Sequence, residues 1–403
     1  MVALTLYSFY LKFGTEVIFM LMFPIIFGGV DSPEVAEVAA EEEAGDPPSI
    51  NLGVLQWFLK SRIFMKIIKL LLLFILLLST PLLAKDYTKK KEVRGFIDSM
   101  VKHYHFDRSE LKRLFSSVTY QKRAHAIYVP SLRPKWVRPK NYKRQGSWDR
   151  YEGIFFKKGK VSKGIAYMHK HRADLSRAYK KYGVEPEYIT AIIGIESHYG
   201  YNRGKYLVFD TLTTLAFEPN RRQKFFRSEL KEFLLMTKRE GVNPKNVKGS
   251  YAGAIGLGQF MPSNYKTFVV DFNKDGYKQM NNHTDAIGSV AHYLKRHHWR
   301  KHQPVATRVS YPGTRYNGHK TGYKYKYKRR SLKNIVPIEP FAYNGKVRLI
   351  KLKRTNYDEL WYGTHNFYVI TRYNHSSYYA MIVHQLAQKI KAGYKKKYGE
   401  VFR

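Results

Sequence analysis

The spacing of apolar residues predicts helices along most of the chain after residue 85. Apolar positions recur every three or four residues in the stretches 93–115, 169–182, 221–241, 285–299 and 376–394. Within the first stretch, Asp107 or Ser109 is a suitable N-cap for a second helix. By contrast, residues 128–164 are rich in Pro, Lys, Arg and Trp, and they predict irregular chain at the surface.

The pattern changes between about residue 303 and residue 360. Tyr, Lys, Val and Thr predominate there and are interrupted by turn residues, which is typical of short strands. We therefore expect an α+β protein that is mainly helical and has one small strand-rich region.

One predicted helix carries a carboxylate at its end, in the stretch "AIIGIESHYG" at residues 191–200. Pro186 suits the first helical position, and Ile192 and Ile193 lie one turn before Glu196. Two interpretations follow. Glu196 is either a helix-end side chain in solvent, or a carboxyl held against apolar walls with a raised pKa, ready to act as a general acid. The spacing alone does not decide between them.

Composition limits the classes of function that are possible for this chain. The 403 residues contain no cysteine, which excludes disulfides, thiolate catalysis and cysteine metal sites. The formal net charge is +40, and residues 85–403 hold 66 Lys+Arg against 23 Asp+Glu. Such a chain attracts polyanions, which include nucleic acid, anionic lipid and acidic wall polymers. With 33 tyrosines available for stacking, a nucleic-acid binder is one alternative.

An export signal is predicted inside the chain. Met65 begins a segment with two early lysines, an apolar run at 70–78 and a small residue, Ala84, at a plausible cleavage point. The run is too short to span a membrane comfortably. We expect that translation starts at Met65 and that residues 1–64 are not part of the functional protein. The alternative is a cytoplasmic or membrane-embedded extension. Without cysteine, a lipoprotein anchor is excluded.

Several further segments have the composition of binding loops. "GSYAGAIGLGQFMPSNY" (249–265) has four glycines that allow close approach of the backbone to a ligand, although P-loop spacing is missing. Gln259 in this segment offers both a donor and an acceptor. "EPNRR" ends in the pair Arg221 and Arg222 beside a helix start, and "ITRYNHSSYYAM" contains Tyr373 and Asn374 before the last helix.

The segment "DFNKDGYKQMNNHTD" resembles a calcium loop. Its oxygen donors at the first, third, fifth and seventh positions are Asp271, Asn273, Asp275 and the carbonyl of Tyr277. Gly276 occupies the sixth position, but the twelfth is Asn282 and not the usual glutamate. The alternative is an Asx-rich turn with Asp285 as the N-cap of the following helix.

Taken in order, these segments resemble the lytic murein transglycosylase B family, whose core is lysozyme-like. The matching segments are the helix that ends at Glu196, "KGSYAGAIGLGQFMPS", "DAIGSVAHYLK" and "TRYNHSSYYAM". The resemblance extends from about Phe96 to Ile390, and it is loose at 126–147 and 311–333.

The resemblance implies roles for individual residues. Glu196 would be the only acid/base, assisted by the N-acetyl group of the substrate, and the product would be a 1,6-anhydromuramyl end. The expected substrate-binding residues are Ser250, Gln259, Tyr373, Asn374, Arg221 and Arg222. The arginine pair would bind peptide or lactyl carboxylates, or it is merely solvated. The family's loop closes with an aspartate that matches Asp285, so that Asp271, Asn273, Asp275, Tyr277 and Asp285 would hold a structural Ca²⁺. No cofactor is expected for catalysis.

We therefore predict an exported periplasmic enzyme that cleaves peptidoglycan between N-acetylmuramic acid and N-acetylglucosamine. Its expected parts are a helical domain at 85–180, a lysozyme-like core at 181–302, a strand-rich region at 303–365 and a C-terminal segment at 366–403. A catalytically idle peptidoglycan-binding protein on the same fold is the main alternative. A nucleic-acid binder is disfavoured by the export signal, and no stable membrane anchor is expected.

Overall fold

The computed structural model describes residues 84–132, 146–156, 159–313 and 315–402. Residues 1–64 and the predicted export signal before Ala84 lie outside the described residues, so the expectations about them remain predictions. Among the helices that are described, none combines the length and the apolar character needed to cross a bilayer.

The described residues form thirteen α-helices. The first seven are α1 (Lys91–Tyr104), α2 (Arg108–Ser116), α3 (Lys122–Tyr128), α4 (Ser147–Phe155), α5 (Lys160–Lys170), α6 (Arg172–Tyr182) and α7 (Pro186–Ser197). The other six are α8 (Val208–Phe217), α9 (Gln223–Arg239), α10 (Pro262–Phe268), α11 (His283–Arg296), α12 (His365–Tyr373) and α13 (Ser377–Tyr398). Short 3-10 turns occupy Tyr87–Lys89, Pro130–Leu132, Pro244–Asn246, Arg315–Gly318 and Arg329–Ser331.

The strands form three small antiparallel sheets in the described residues. Two are two-stranded and pair β1 (Ala84–Lys85) with β2 (Val118–Thr119), and β3 (Tyr206–Leu207) with β4 (Lys248–Gly249). The third contains β5 (Ala306–Ser310), β6 (Val336–Pro337), β7 (Arg348–Lys353) and β8 (Asp358–Gly363), in the order β6-β5-β8-β7. The prediction of a mainly helical protein with a small amount of strand is therefore confirmed.

Local signals explain several helix boundaries. Asp107 caps α2, as predicted, because its side chain accepts a 2.6 Å hydrogen bond from the N–H of Glu110. Pro186 begins α7 at a position where its missing N–H costs no helical hydrogen bond. Helix α7 ends at Ser197 because His198 takes the left-handed conformation (φ 52°).

The expectation of irregular chain at 128–164 is wrong for two helices. Helix α4 lies within this range, and α5 begins at Lys160, well before the predicted start at His169. The side chain of Trp148 in α4 is completely buried, so a segment rich in polar residues is held by aromatic packing that composition does not reveal. Residues 133–145 of the range lie outside the described residues.

Helix α7 is the central element of the large core. It packs against α5, α6, α11 and α13, and every residue from Pro186 to Gly194 is buried. Below its first turn, Glu185 accepts hydrogen bonds from the indole of Trp299 (2.8 Å) and from the N–H of His302 (2.8 Å). Because buried contacts surround it, α7 is a rigid support for a side chain at its C-terminal end.

Candidate active site

Glu196 lies in the last turn of α7 and is half-buried. Ile192 and Ile193 behind it are completely buried, and the hydroxyl of Tyr379 on α13 donates a 2.5 Å hydrogen bond to its Oε1. Burial raises the pKa of Glu196 to about 7, and the hydrogen bond from Tyr379 opposes that rise. At neutral pH the carboxyl therefore exchanges its proton readily, as a general acid/base requires.

The turn that carries Glu196 is fixed by close packing. A Cβ at Gly194 would lie 2.6 Å from the ring of Tyr199, so this position admits only glycine without displacement of the ring. The Tyr199 hydroxyl donates to the carbonyl of Lys160, and the buried ammonium of Lys160 donates to the carbonyl of Gly194 (2.6 Å). The Gly194 carbonyl also accepts from the N–H of His198 (3.1 Å), so two donors together fix the position of the final turn.

Two tyrosines connect Glu196 to the glycine-rich segment. The rings of Tyr373 and Tyr379 lie nearly parallel with centroids 6.4 Å apart, and the Tyr373 hydroxyl donates to the carbonyl of Gly258 (2.6 Å). Burial raises the pKa of both hydroxyls, and the charge of Glu196 adds to the rise, so both remain protonated donors. Asn374 follows α12 and is exposed.

The glycines of the segment 249–258 serve the packing of the protein itself. A Cβ at Gly256, whose φ is 74°, would lie 2.4 Å from the carbonyl oxygen of Met280, and a Cβ at Gly253 would meet Leu212 at 2.6 Å. Contacts within the fold account for glycine at these two positions, whereas the sequence predicted that the glycines allow close approach of a ligand.

Gln259 and Ser250 lie on the same segment and have partners. The Gln259 side-chain amide donates to the carbonyls of Gly256 (2.9 Å) and Arg203 (3.3 Å), while its backbone has a positive φ of 50°. The Ser250 hydroxyl accepts from the N–H groups of Ala252 (3.2 Å) and Ala254 (3.0 Å). Both side chains therefore shape the loop next to Tyr373.

Arg221 and Arg222 are exposed immediately before α9, and the structure shows no contact between them and Glu196 among the described residues. The guanidinium of Arg222 lies 4.0 Å above the ring of Phe225. Burial raises the pKa of Tyr128, the nearby Tyr251 adds to that rise, and the charges of both arginines oppose it. Both arginines and Tyr251 therefore lie close enough to Tyr128 to affect its titration.

The sequence alone does not identify two residues beside Glu196. Tyr379 lies within the segment "ITRYNHSSYYAM", but the sequence of α13 does not reveal which of its tyrosines faces Glu196. Tyr151 on α4 packs against Tyr378 with ring centroids 5.5 Å apart. Burial raises the pKa of Tyr151 to about 12, with a contribution from the charge of Glu196, which places its hydroxyl near the carboxyl.

The calcium-like loop has suitable donor chemistry. The carboxylate of Asp271 accepts from the N–H groups of Lys274 (2.7 Å) and Gly276 (2.9 Å), and Gly276 has a φ of 90°. Oxygen donors of Asp and Asn and a sharp turn at glycine are features that Ca²⁺ sites share. Within the described part of the chain, no three His, Asp or Glu groups are gathered in an arrangement that could hold a metal.

Asp285 is completely buried and braces this loop. Its carboxylate accepts from the N–H groups of Phe272 (2.7 Å), Asn273 (3.2 Å) and Gln279 (2.8 Å). It is not the N-cap of α11, because Asn282 fills that position and the helix begins at His283. Burial raises the pKa of Asp285, the three N–H donors oppose the rise, and the charge of Asp271 adds to it. A cation would relieve that repulsion.

The sequence is similar to that of a known family and of a characterised enzyme. Residues 88–388 match the family described as "Transglycosylase SLT domain". The membrane-bound lytic murein transglycosylase B of Escherichia coli (strain K12) is 39% identical over 307 residues, which cover 76% of this chain and 84% of that protein.

Solved structures show the same similarity. The E. coli lytic transglycosylase Slt35, in complex with calcium, has a TM-score of 0.70 and 37% identity, covering 77% of this chain and 96% of that one. The soluble lytic transglycosylase SltB1 of Pseudomonas aeruginosa has a TM-score of 0.67 and 36% identity, covering 75% and 99%. The chain therefore belongs to the transglycosylase SLT family and is a lytic murein transglycosylase with a lysozyme-like fold.

Proposed function

We propose that the chain cleaves the bond between N-acetylmuramic acid and N-acetylglucosamine in peptidoglycan and leaves 1,6-anhydromuramyl ends. The observation that carries this proposal is the half-buried Glu196 with its raised pKa. Among the described residues, the charge of Glu196 raises the pKa of Tyr151, Tyr373 and Tyr379. A carboxylate partner is not among them, which favours assistance by the substrate over a second carboxylate.

The protonated Glu196 donates its proton to the glycosidic oxygen while the bond from that oxygen to the anomeric carbon breaks. The carbonyl oxygen of the substrate's N-acetyl group stabilises the cationic carbon. The Glu196 carboxylate then accepts the proton of the C6 hydroxyl of the same sugar, and O6 bonds to the anomeric carbon. Glu196 is protonated again at the end, and no water is consumed.

Residues around Glu196 would bind the glycan. Gln259 and Ser250 hold the loop beside Tyr373 and would line the cleft, while Tyr373 would contact a sugar face and the exposed Asn374 its N-acetyl group. The guanidinium groups of Arg221 and Arg222 suit the carboxylates of stem peptides, and both are exposed to a ligand.

The loop after α10 would bind a structural Ca²⁺. The residues proposed to hold it are Asp271, Asn273, Asp275, the carbonyl of Tyr277, and Asp285. The calcium complex of Slt35 supports this choice of ion. When bound, the ion supplies a positive charge that neutralises the carboxylates and stabilises the loop. It would contribute nothing to the chemical step.

The site of action would be the periplasm, where peptidoglycan is available to an exported enzyme. The segment from Met65 to Ala84 has the pattern of an export signal. Since the chain contains no cysteine, the mature enzyme would lack a thioether-linked lipid anchor. Fractionation of cells that make the tagged protein tests this: recovery in the cytoplasm, or in the membrane by a covalent lipid, contradicts it.

The variant Glu196→Gln tests the proposed activity. The amide has nearly the same shape but neither donates nor recovers a carboxyl proton, so the release of muropeptides should fall by at least about 100-fold. Binding to purified peptidoglycan should remain. Residual activity within about tenfold of wild type would place the acid elsewhere. Binding without cleavage by the wild-type protein would favour the catalytically idle alternative.

A further inference from the structure

Arg354 joins α4 to the β7–β8 hairpin. It follows β7, and its Nε donates to Oε2 of the buried Glu359 on β8 (2.9 Å). Its Nη1 donates to Oδ1 of Asp149 (3.0 Å) and to Oε2 of Glu152 (2.6 Å), both on α4. One guanidinium thus connects three carboxylates on two elements that are about 200 residues apart in the chain, and such charge-assisted bonds are strong and directional.

A second set of contacts joins the same two elements. The Thr355 hydroxyl donates to Oδ2 of Asp149 (2.7 Å) and accepts from the N–H of Gly146 (3.2 Å), the N-cap residue of α4. A Cβ at Gly146 would lie 2.2 Å from the backbone carbon of Arg354, so the two backbones touch at a position where only glycine fits. The first turn of α4 is therefore held firmly on the hairpin.

Helix α4 contributes to an aromatic wall beside the catalytic carboxyl, which consists of Trp148, Tyr151 and Tyr378. The ring centroids of Trp148 and Tyr378 are 5.2 Å apart at 84°, and the hydroxyl of Tyr378 lies 2.7 Å from Oγ of Ser147. Tyr378 directly precedes Tyr379, whose hydroxyl bonds to Glu196. The aromatic wall is thus connected to Glu196 through two adjacent residues of α13.

We propose that Arg354 is a positioning residue that holds the aromatic wall closed beside Glu196 and so keeps water from the reacting anomeric carbon. The inference rests on the proposed function. The cationic carbon has two competitors for capture, the C6 hydroxyl of the same sugar and a water molecule. If water attacks, its oxygen bonds to the anomeric carbon, Glu196 takes one of its protons, and the end formed is a reducing sugar.

The test is the ratio of anhydro ends to reducing ends in a complete digest of peptidoglycan, measured by liquid chromatography with mass spectrometry. Wild type should give almost only anhydro ends. In Arg354→Ala the proportion of reducing ends should rise about tenfold, which corresponds to a change of about 1.4 kcal/mol in the relative barriers. Arg354→Lys, which retains the charge but not the planar fork, should lie between the two.

Two further variants separate this role from a general loss of stability. Thr355→Val keeps the shape of the side chain and leaves Arg354 intact. It removes two hydrogen bonds to the start of α4, so it should also raise the proportion of reducing ends. Arg108→Ala removes an exposed ion pair with Asp98 and should leave the ratio unchanged. If Arg354→Ala does not fold, the ratio of anhydro ends to reducing ends in Thr355→Val and Arg354→Lys tests the inference instead. An unchanged ratio in the folded variants overturns the inference, whereas a wild-type digest without anhydro ends overturns the proposed function itself.

Discussion

The hydroxyl of Tyr379 donates a 2.5 Å hydrogen bond to Oε1 of Glu196. This hydrogen bond and the burial of the carboxyl shift the pKa of Glu196 in opposite directions. Burial disfavours the charged carboxylate and raises its pKa, while the donated hydrogen bond favours the carboxylate and lowers it. The result is a pKa of about 7, which allows one group to give a proton and take another within a single catalytic cycle.

Tyr379→Phe should move the alkaline limb of the pH–rate profile to higher pH. Without the donated hydrogen bond the pKa of Glu196 rises further, so the carboxyl stays protonated to a higher pH. The measurement is kcat/KM for muropeptide release across the pH range. Tyr394→Phe, a change on the same helix whose hydroxyl is near His169, is the matched control and should leave the profile in place. A shift of the limb to lower pH in Tyr379→Phe would contradict the account.

Glu196→Gln should stabilise the fold at alkaline pH. The folded-state pKa of about 7 lies above the ordinary glutamate value of 4.5, so the folded protein binds more protons than the unfolded chain between these values. Stability is thus lost as the pH rises from 4.5 to 7. Removing the charge should raise the free energy of unfolding near pH 8 by on the order of 2 kcal/mol, with little effect near pH 4.

Urea titration at both pH values measures this difference. Glu110→Gln, on the exposed surface of α2, controls for the loss of one negative charge. An equal effect of Glu196→Gln at the two pH values would show that Glu196 is not destabilised by its charge.

Calcium should raise the melting temperature, and chelation should lower it. A ligand that binds only the folded state stabilises it by about 2.7 kcal/mol at a free concentration of about 100 times its dissociation constant. Asp275→Ala should remove most of this response, because Asp275 supplies one of the proposed ligands. Asp98→Ala on α1 removes an exposed carboxylate that pairs with Arg108, and it should keep the full response. Identical melting curves with calcium, with chelator and in Asp275→Ala would reduce the loop to an ordinary turn.

Gly194→Ala should destabilise the protein by about 1–3 kcal/mol, because the added methyl group would collide with the Tyr199 ring behind Glu196. Gly95→Ala on α1 is the matched control. It has open space around the new methyl group, so it should stabilise the helix by about 0.5–1 kcal/mol. Thermal and urea unfolding of both variants measures the difference. Equal effects at the two positions would show that the turn is less tightly packed than described.

The helices that could be predicted are those whose apolar spacing is local. Helix α2 and its cap at Asp107, and α7 with Pro186 at its start, follow from residues within one or two turns. Helix α4 could not be predicted in this way. It depends on contacts of Asp149 and Glu152 with Arg354, which lies more than 200 residues away along the chain.

The same distinction between local and distant contacts applies to the candidate site. The resemblance to a known family identifies Glu196, because its spacing at a helix end alone leaves two interpretations open. Tyr379 is 183 residues from Glu196 in the chain, and only the packing of α13 on α7 brings them together. The glycines near Gln259 were visible as a pattern, but the reason for each depends on neighbours such as Met280, which sequence does not place.

The identity of the new chain end tests the central claim most directly. Purified peptidoglycan is digested with the wild-type enzyme, the products are treated with borohydride, and the muropeptides are analysed by mass spectrometry. Intramolecular attack by the C6 hydroxyl predicts ends that resist reduction and are lighter than hydrolysed ends by the mass of one water molecule. Ends that are reduced by borohydride and contain the added water would contradict the account, because they would show that the enzyme is a hydrolase.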